Sequence, residues 1–194
     1  MDQFAPTRRS MLGTTGGAML SAAAIGVLGG VSSSAFAKTA KKSATQGDVD
    51  ILNVALGLEH EAIAAYSIGA GSGLLAKPVL DAAVLFQGHH KGHRDALIKA
   101  ITDMGGKPVG AKTDAEYAAA LNVAATVKSQ ADVLKLAQKL EKGAANAYIG
   151  VIPSFSSNDL KQISARLAAD EASHWATLSF VLGEAPPAAP LIFG

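Results

Sequence analysis

Residues 59–66 read Glu-His-Glu-Ala-Ile-Ala-Ala-Tyr, and residues 141–148 read Glu-Lys-Gly-Ala-Ala-Asn-Ala-Tyr. Each opens on Glu, closes on Tyr seven residues later and keeps Ala at two matching positions between. A second pair of segments follows the same rule. His90-Lys-Gly-His93-Arg-Asp-Ala-Leu97 aligns with Glu171-Ala-Ser-His174-Trp-Ala-Thr-Leu178. Glu59 lies 34 residues before His93, and Glu141 lies 33 before His174. The chain therefore holds two similar halves, each with a Glu-bearing and a His-bearing segment. All four segments are Ala-rich and show no alternation at period two, so they read as helices rather than strands.

Four long helices follow from the punctuation around these segments. The first is predicted over residues 48–68, with Asp48 as N-cap and the Gly69-x-Gly71-x-Gly73 run as its end. The second opens on Lys77-Pro78, where Pro suits a first helical position, and runs to Met104 before Gly105-Gly106. The third runs from a Ser129 cap to Ile149, with Gly150 and Pro153 barring continuation. The fourth starts at Ser157 or Asn158 and runs to Leu182, closed by Gly183. A short helix is predicted over residues 114–121, capped by Thr113. Short loops make helices one and two, and three and four, antiparallel neighbours. Residues 105–128 form one long crossover between helices 2 and 3. The fold class is all-α, an antiparallel four-helix bundle with one long crossover.

A bundle helix should present a continuous apolar stripe to the core. Each stripe here is interrupted at mid-helix. Helix one gives Leu52, Ala55, Glu59, Ala62, Tyr66, and helix two gives Phe86, His90, His93, Leu97. Helix three gives Leu134, Ala137, Glu141, Ala144, Tyr148, and helix four gives Leu167, Glu171, His174, Leu178. A buried carboxylate without a partner is strongly destabilising. Four helices that each carry the same interruption point to one shared partner, and a metal cluster is the candidate.

This constellation resembles the ferritin-like di-iron/di-manganese carboxylate superfamily, and in particular Tat-secreted bacterial ferritin-like domain proteins. The resemblance spans residues 48–183 and implies a ferritin-like bundle. It implies metal ligands at Glu59, Glu141, Glu171, His174 and His93, with Glu171-x-x-His174 a complete Glu-x-x-His motif. His90 stands where such a site carries a bridging Glu, which leaves three carboxylates in the set. Tyr66 and Tyr148 match the tyrosine that flanks the ligands or takes part in redox steps, and they are the catalytic candidates. The implied cofactor is Fe or Mn, two ions, or one if His90 weakens a position. The implied partners are O2 or peroxide, with an oxidase or stress-defence role. A His-richer set also suits zinc or copper, so a periplasmic Zn/Cu-binding protein is one alternative. A structural or interaction bundle that has lost the metal chemistry is another. His89 sits one residue off the stripe, in the groove. His60 and Glu61 read as solvated, and Trp175 as packing.

The remaining sequence bounds the rest. The chain has 194 residues, 17 Lys+Arg against 16 Asp+Glu, no Cys and 5% aromatics. Absent Cys excludes disulfide scaffolds, thiolate metal sites and Cys nucleophiles. A net charge of +1 gives no basic stripe for nucleic acid. Residues 1–37 carry Arg8-Arg9, then an uncharged Ala/Gly/Ser-rich run ending Ala35-Phe36-Ala37. That reads as a twin-arginine (Tat) signal peptide, with an uncleaved membrane anchor as the competing reading. It predicts passage through the Tat translocon to the periplasm. Removing those 37 of 194 residues leaves 157, and the loss of Arg8, Arg9 and Asp2 leaves no net charge. Residues 38–47 read as a flexible linker. Residues 184–194, with Pro186, Pro187 and Pro190, form a non-helical tail whose Leu191-Ile192-Phe193 is expected to dock on the bundle or on a partner. A homo-oligomer is among the expected assemblies.

Overall fold

The computed structural model describes residues 40–194. The predicted signal peptide and the start of the predicted linker lie outside them. Among the described residues every regular element is a helix, with no strand. We label the helices α1 (Ala40–Gly71), α2 (Lys77–Asp103), α3 (Asp114–Ala120), α4 (Val123–Thr126), α5 (Gln130–Val151) and α6 (Asn158–Val181). A single 3-10 turn, Ile152–Ser154, follows α5. The long helices α1, α2, α5 and α6 form the bundle. Helix α1 packs on α2 and α5 on α6, and α1 also contacts α5. Residues 104–129, carrying α3 and α4, make the crossover. No helix of the described residues is long and apolar enough to cross a membrane.

The caps work as their side chains predict. Ser129 accepts from the Asp132 N–H, and Ser157 from the Leu160 N–H. Thr113 and Glu116 form a reciprocal capping box at the start of α3. Gly105 and Gly183 close α2 and α6 at φ +76°, the left-handed conformation that glycine adopts without steric cost.

The first helix departs from expectation at both ends. It begins at Ala40 rather than Asp48, so most of the predicted linker is helical. Residues 40–46 are polar, which suggested a linker, but Ala, Lys and Gln are good helix formers and no Pro interrupts them. Asp48 is accordingly no N-cap. It is 2% exposed and accepts from the Ser156 backbone N–H at 3.0 Å and from the Ser156 hydroxyl. At the other end α1 passes through Gly69, where a Cβ would stand 3.0 Å from Val133 Cγ1 of α5. The glycine there lets two helices approach rather than stopping one. The α4 turn was not foreseen; it follows Asn122, which takes the left-handed conformation at φ 53°.

Two apolar layers enclose a polar one. Val49, Leu52, Leu56, Leu97, Ile101, Tyr148 and Leu167 pack together toward one end. Tyr66, Phe86, Leu134 and Leu178 pack together toward the other. Burying each large aliphatic side chain contributes about 1.5–3 kcal/mol. The mid-helix acids and histidines lie between these layers, because each interrupts its stripe at the same height. The first layer is tight at the crossover. A Cβ on Gly106 would meet Val49 Cγ1 at 2.6 Å and Ile101 Cγ2 at 3.0 Å, both on stiff β-branched buried side chains. Gly106→Ala is expected to cost about 1–3 kcal/mol by overpacking, read as a lower urea midpoint at unchanged slope.

The tail is non-helical, as its prolines require. The Phe193 ring meets Trp175 edge-on at 5.3 Å, and the Gly194 N–H donates to Asn146 Oδ1 at 2.9 Å. Phe193 thus docks on the bundle, while Leu191 stays 93% exposed.

Candidate metal centre

Glu59 comes from α1, His90 and His93 from α2, Glu141 from α5, and Glu171 and His174 from α6. All six are buried. They converge into two groups of potential ligand atoms, Glu59/His90/His93/Glu171 and His90/Glu141/Glu171/His174, each with its atoms within 4.8 Å of one another. His90 and Glu171 belong to both groups.

His90 stands between the halves. Its Nδ1 lies 2.8 Å from Glu59 Oε2 and 3.7 Å from Glu171 Oε1, and its Nε2 lies 3.1 Å from Glu141 Oε1. One ring nitrogen therefore faces each side. His93 Nδ1 lies 3.1 Å from Glu171 Oε1 and 3.6 Å from Glu59 Oε1. His174 Nδ1 lies 3.2 Å from Glu171 Oε2 and 3.4 Å from Glu141 Oε2.

A pseudo-twofold relation runs through the surrounding contacts. The Tyr66 hydroxyl donates to Glu141 of the opposite half, and the Tyr148 hydroxyl donates to Glu59. His93 turns its outer nitrogen to Asp170 Oδ2 at 3.1 Å, and His174 turns its outer nitrogen to His89 Nδ1 at 2.9 Å. The apolar stripes place His89 in the groove but give no sign of Asp170. Its only signal was register, since aligning His90 with Glu171 aligns His89 with Asp170. His60 is half-buried rather than solvated, bonded to the Val109 carbonyl of the crossover at 3.2 Å. Glu61 is also half-buried, and burial raises its carboxyl. Neither touches the cluster through any of these contacts.

Electrostatics follow from packing three carboxylates and three imidazoles together. Burial works to raise Glu59, but hydrogen bonds and charge from His90 and His93 outweigh it and hold the carboxyl down at about 2. Glu141 is likewise driven well below the carboxylate range, its burial outweighed by His174 and His90. Glu171 goes the other way: burial dominates and raises it. Burial depresses His90 and His93, yet the hydrogen bonds their rings donate to Glu141, Glu59 and Glu171, with the charge of those acids, more than reverse it, pushing both up to about 10. His174 is raised by Glu141 and Glu171 against its burial. Burial, joined by the charge of Glu141 on Tyr66 and of Glu59 on Tyr148, drives both phenols far up, so each stays a neutral donor. Tyr148→Phe removes a hydroxyl from a buried carboxylate and is expected to cost about 1.5–3 kcal/mol, measured by urea unfolding.

The donor set fits metal ions. Carboxylate oxygen and imidazole nitrogen suit divalent first-row metals. His93 and His174 also show the arrangement expected of metal-binding histidines, one nitrogen inward and the other fixed by an outer partner. Within the cluster, positive charge is needed to balance the acids, and either protonated imidazoles or metal ions provide it.

Comparison with known proteins agrees with this architecture. A family model described as a ferritin-like domain matches residues 47–184. A crystal structure of a conserved hypothetical protein from Mycobacterium tuberculosis aligns with TM-score 0.63 and 24% identity, covering 76% of this chain and 99% of that one. A structure described as a ferritin-like, diiron-carboxylate protein from Bacillus anthracis aligns with TM-score 0.57 and 18% identity, covering 72% of this chain and 97% of that one. No curated protein matches.

Proposed function

Because the chain belongs to the ferritin-like domain family, we propose that it is an exported metalloprotein that holds two iron or manganese ions in its Glu/His cluster and reacts with O2 or peroxide in stress defence. The observation that carries this reading is the pair of buried ligand groups joined by His90 and Glu171. The diiron-carboxylate description of the Bacillus anthracis protein of like fold supports it. Glu59 and His93 would hold one ion, Glu141 and His174 the other, with His90 and Glu171 between them. When bound, such a pair supplies Lewis acidity and electrons for reduction of an oxygen species. Asp170 and His89 keep the His93 and His174 rings facing inward. Tyr66 and Tyr148 keep a proton on the phenol oxygen and fix the Glu141 and Glu59 carboxylates in place. The twin-arginine segment supports passage through the Tat translocon to the periplasm.

Elemental analysis of the exported protein, with anomalous scattering at the cluster, tests the reading. Two transition-metal ions per chain at the Glu/His groups are expected. No metal, together with no absorbance change on adding Fe(II) in air, overturns it. A competitive titration of Fe, Mn, Zn and Cu separates it from a zinc or copper carrier.

One observation favours a second reading, a bundle that serves structure or interaction without metal. Among the described residues no buried side-chain nitrogen or oxygen lacks a partner, so the histidines alone close the network. Under that reading, chelation leaves the melting temperature unchanged.

A further inference from the structure

Beyond Tyr66 and Phe86, on the side away from the acids, lies a pocket of about 230 Å³ that opens to solvent past Ser72, Pro78, Thr177 and Val181, all exposed. Ile68, Val79, Phe86, Val127, Leu134 and Leu178 are among its walls, so helices α1, α2, α5 and α6 and the crossover all contribute. None of its lining residues is charged. Its polar side chains are Tyr66, Ser72 and Thr177, and each has already donated its proton. Tyr66 donates to Glu141, Ser72 Oγ donates to the Gly69 carbonyl at 2.6 Å, and Thr177 Oγ1 donates to the Ser173 carbonyl at 2.9 Å. With their protons spent, they leave a guest only hydroxyl lone pairs, two of them near the mouth, where Ser72 and Thr177 are exposed.

We propose that this cavity is a binding site for a small neutral apolar molecule, an aromatic or aliphatic hydrocarbon skeleton larger than benzene. An apolar cavity of about 150 Å³ stays dry and takes up benzene, so this one has room for a substituted ring. The occupant's chemistry is set by the walls. A charged ligand would give up its hydration to walls that carry no charge and almost no polar surface, and an apolar one has nothing to lose. Tyr66 and Phe86 form the floor between the cavity and the cluster. The Phe86 ring stacks on His174 at 4.2 Å, and the Tyr66 ring lies 5.4 Å from that of His90. The occupant thus rests one side chain away from the His/Glu groups, and its presence constrains the rings that touch them. The site stands independently of the metal reading.

The test is calorimetric titration of the purified chain, metal-free and metal-loaded, with toluene and with phenol. Toluene is expected to bind saturably at one site per chain in both forms. Phenol, nearly the same size with one hydroxyl, is expected to bind at least about tenfold more weakly, because its hydroxyl gives up water against walls that are almost wholly apolar. Ala83→Leu and Ala137→Leu each place a larger apolar side chain on the cavity wall. Each is expected to lower toluene affinity at least about tenfold without lowering the melting temperature, since filling a void does not overpack. No saturable toluene binding, phenol binding as tightly as toluene, decanoate binding in place of toluene, or unchanged toluene affinity in whichever of the two variants folds overturns the proposal. Toluene binding to a chain that takes up no metal overturns only the metal reading and leaves this one standing.

Discussion

Glu171→Gln is expected to reduce metal affinity by at least about 100-fold while leaving the metal-free protein as stable as before. Glu171 is fully buried and belongs to both ligand groups, with Oε1 3.1 Å from His93 and Oε2 3.2 Å from His174. Loss of a residue that only orients a metal ligand costs 10–100-fold in affinity, so loss of a shared ligand stands at or above the upper end. A bound metal at a hundred times its Kd stabilises the fold by about 2.7 kcal/mol, and that stabilisation disappears in the variant. In the metal-free protein the balance differs. Burial raises the Glu171 carboxyl, so the surroundings already resist its ionised form. Gln has the shape of a protonated Glu and keeps a carbonyl oxygen as acceptor toward His93 or His174, so the exchange fixes a neutrality that burial already favours at this position. Thermal unfolding with EDTA and with Mn(II) separates the two cases. Equal loss of stability in both would place Glu171 in a closed structural network and count against metal binding. Glu59→Gln touches one group only, so it is expected to remove one ion and leave the other.

These contrasts rest on a site that was mostly legible from residue order. The cluster betrayed itself because Glu59, His90, His93, Glu141, Glu171 and His174 each break an apolar stripe, and a stripe is a local property of one helix. Helix ends carried by local chemistry, such as the Ser129, Ser157 and Thr113 caps, were legible for the same reason. What escaped depends on contacts between elements. Asp48 looked like a cap because its burial partner, Ser156, lies 108 residues away. Residues 40–47 looked like a linker because polarity alone does not measure helix propensity. Asp170 is exposed at its side chain and sits among ordinary surface charges; only its approach to His93 from the facing helix gives it a role. The apolar cavity is a shortfall in packing among several helices and crossover residues, and no single segment encodes it.

Metal affinity is expected to climb about 100-fold per pH unit across neutral pH. His90 and His93 are held protonated up to about 10 in the metal-free protein, and a metal ion binds only the neutral ring. Each must release its proton, so binding that displaces two protons gains two powers of ten per pH unit below that value. Glu59 is held ionised down to about 2, and Glu141 is held well down too, so neither releases a proton in this range. The metal-free fold should respond in the opposite sense. Folded-state values raised above the ordinary histidine range stabilise fully below about 6.5, and that contribution is lost as pH rises through about 10. The depressed Glu59 contributes stability above about 4.5 that is lost as pH falls through about 2. Metal-free stability is therefore expected to be greatest between about pH 4.5 and 6.5 and to decline toward pH 10, while metal-loaded stability rises up to about 6.5 and then holds level, because above that value neither the metal-bound histidines nor those of the unfolded chain carry protons. The two curves part where the ions replace the protons as the positive charge among the acids. Titrating Mn(II) in buffers of different ionisation enthalpy counts the protons directly. Two or more released per chain are expected at pH 7, and none would mean that the ions bind somewhere other than the histidines.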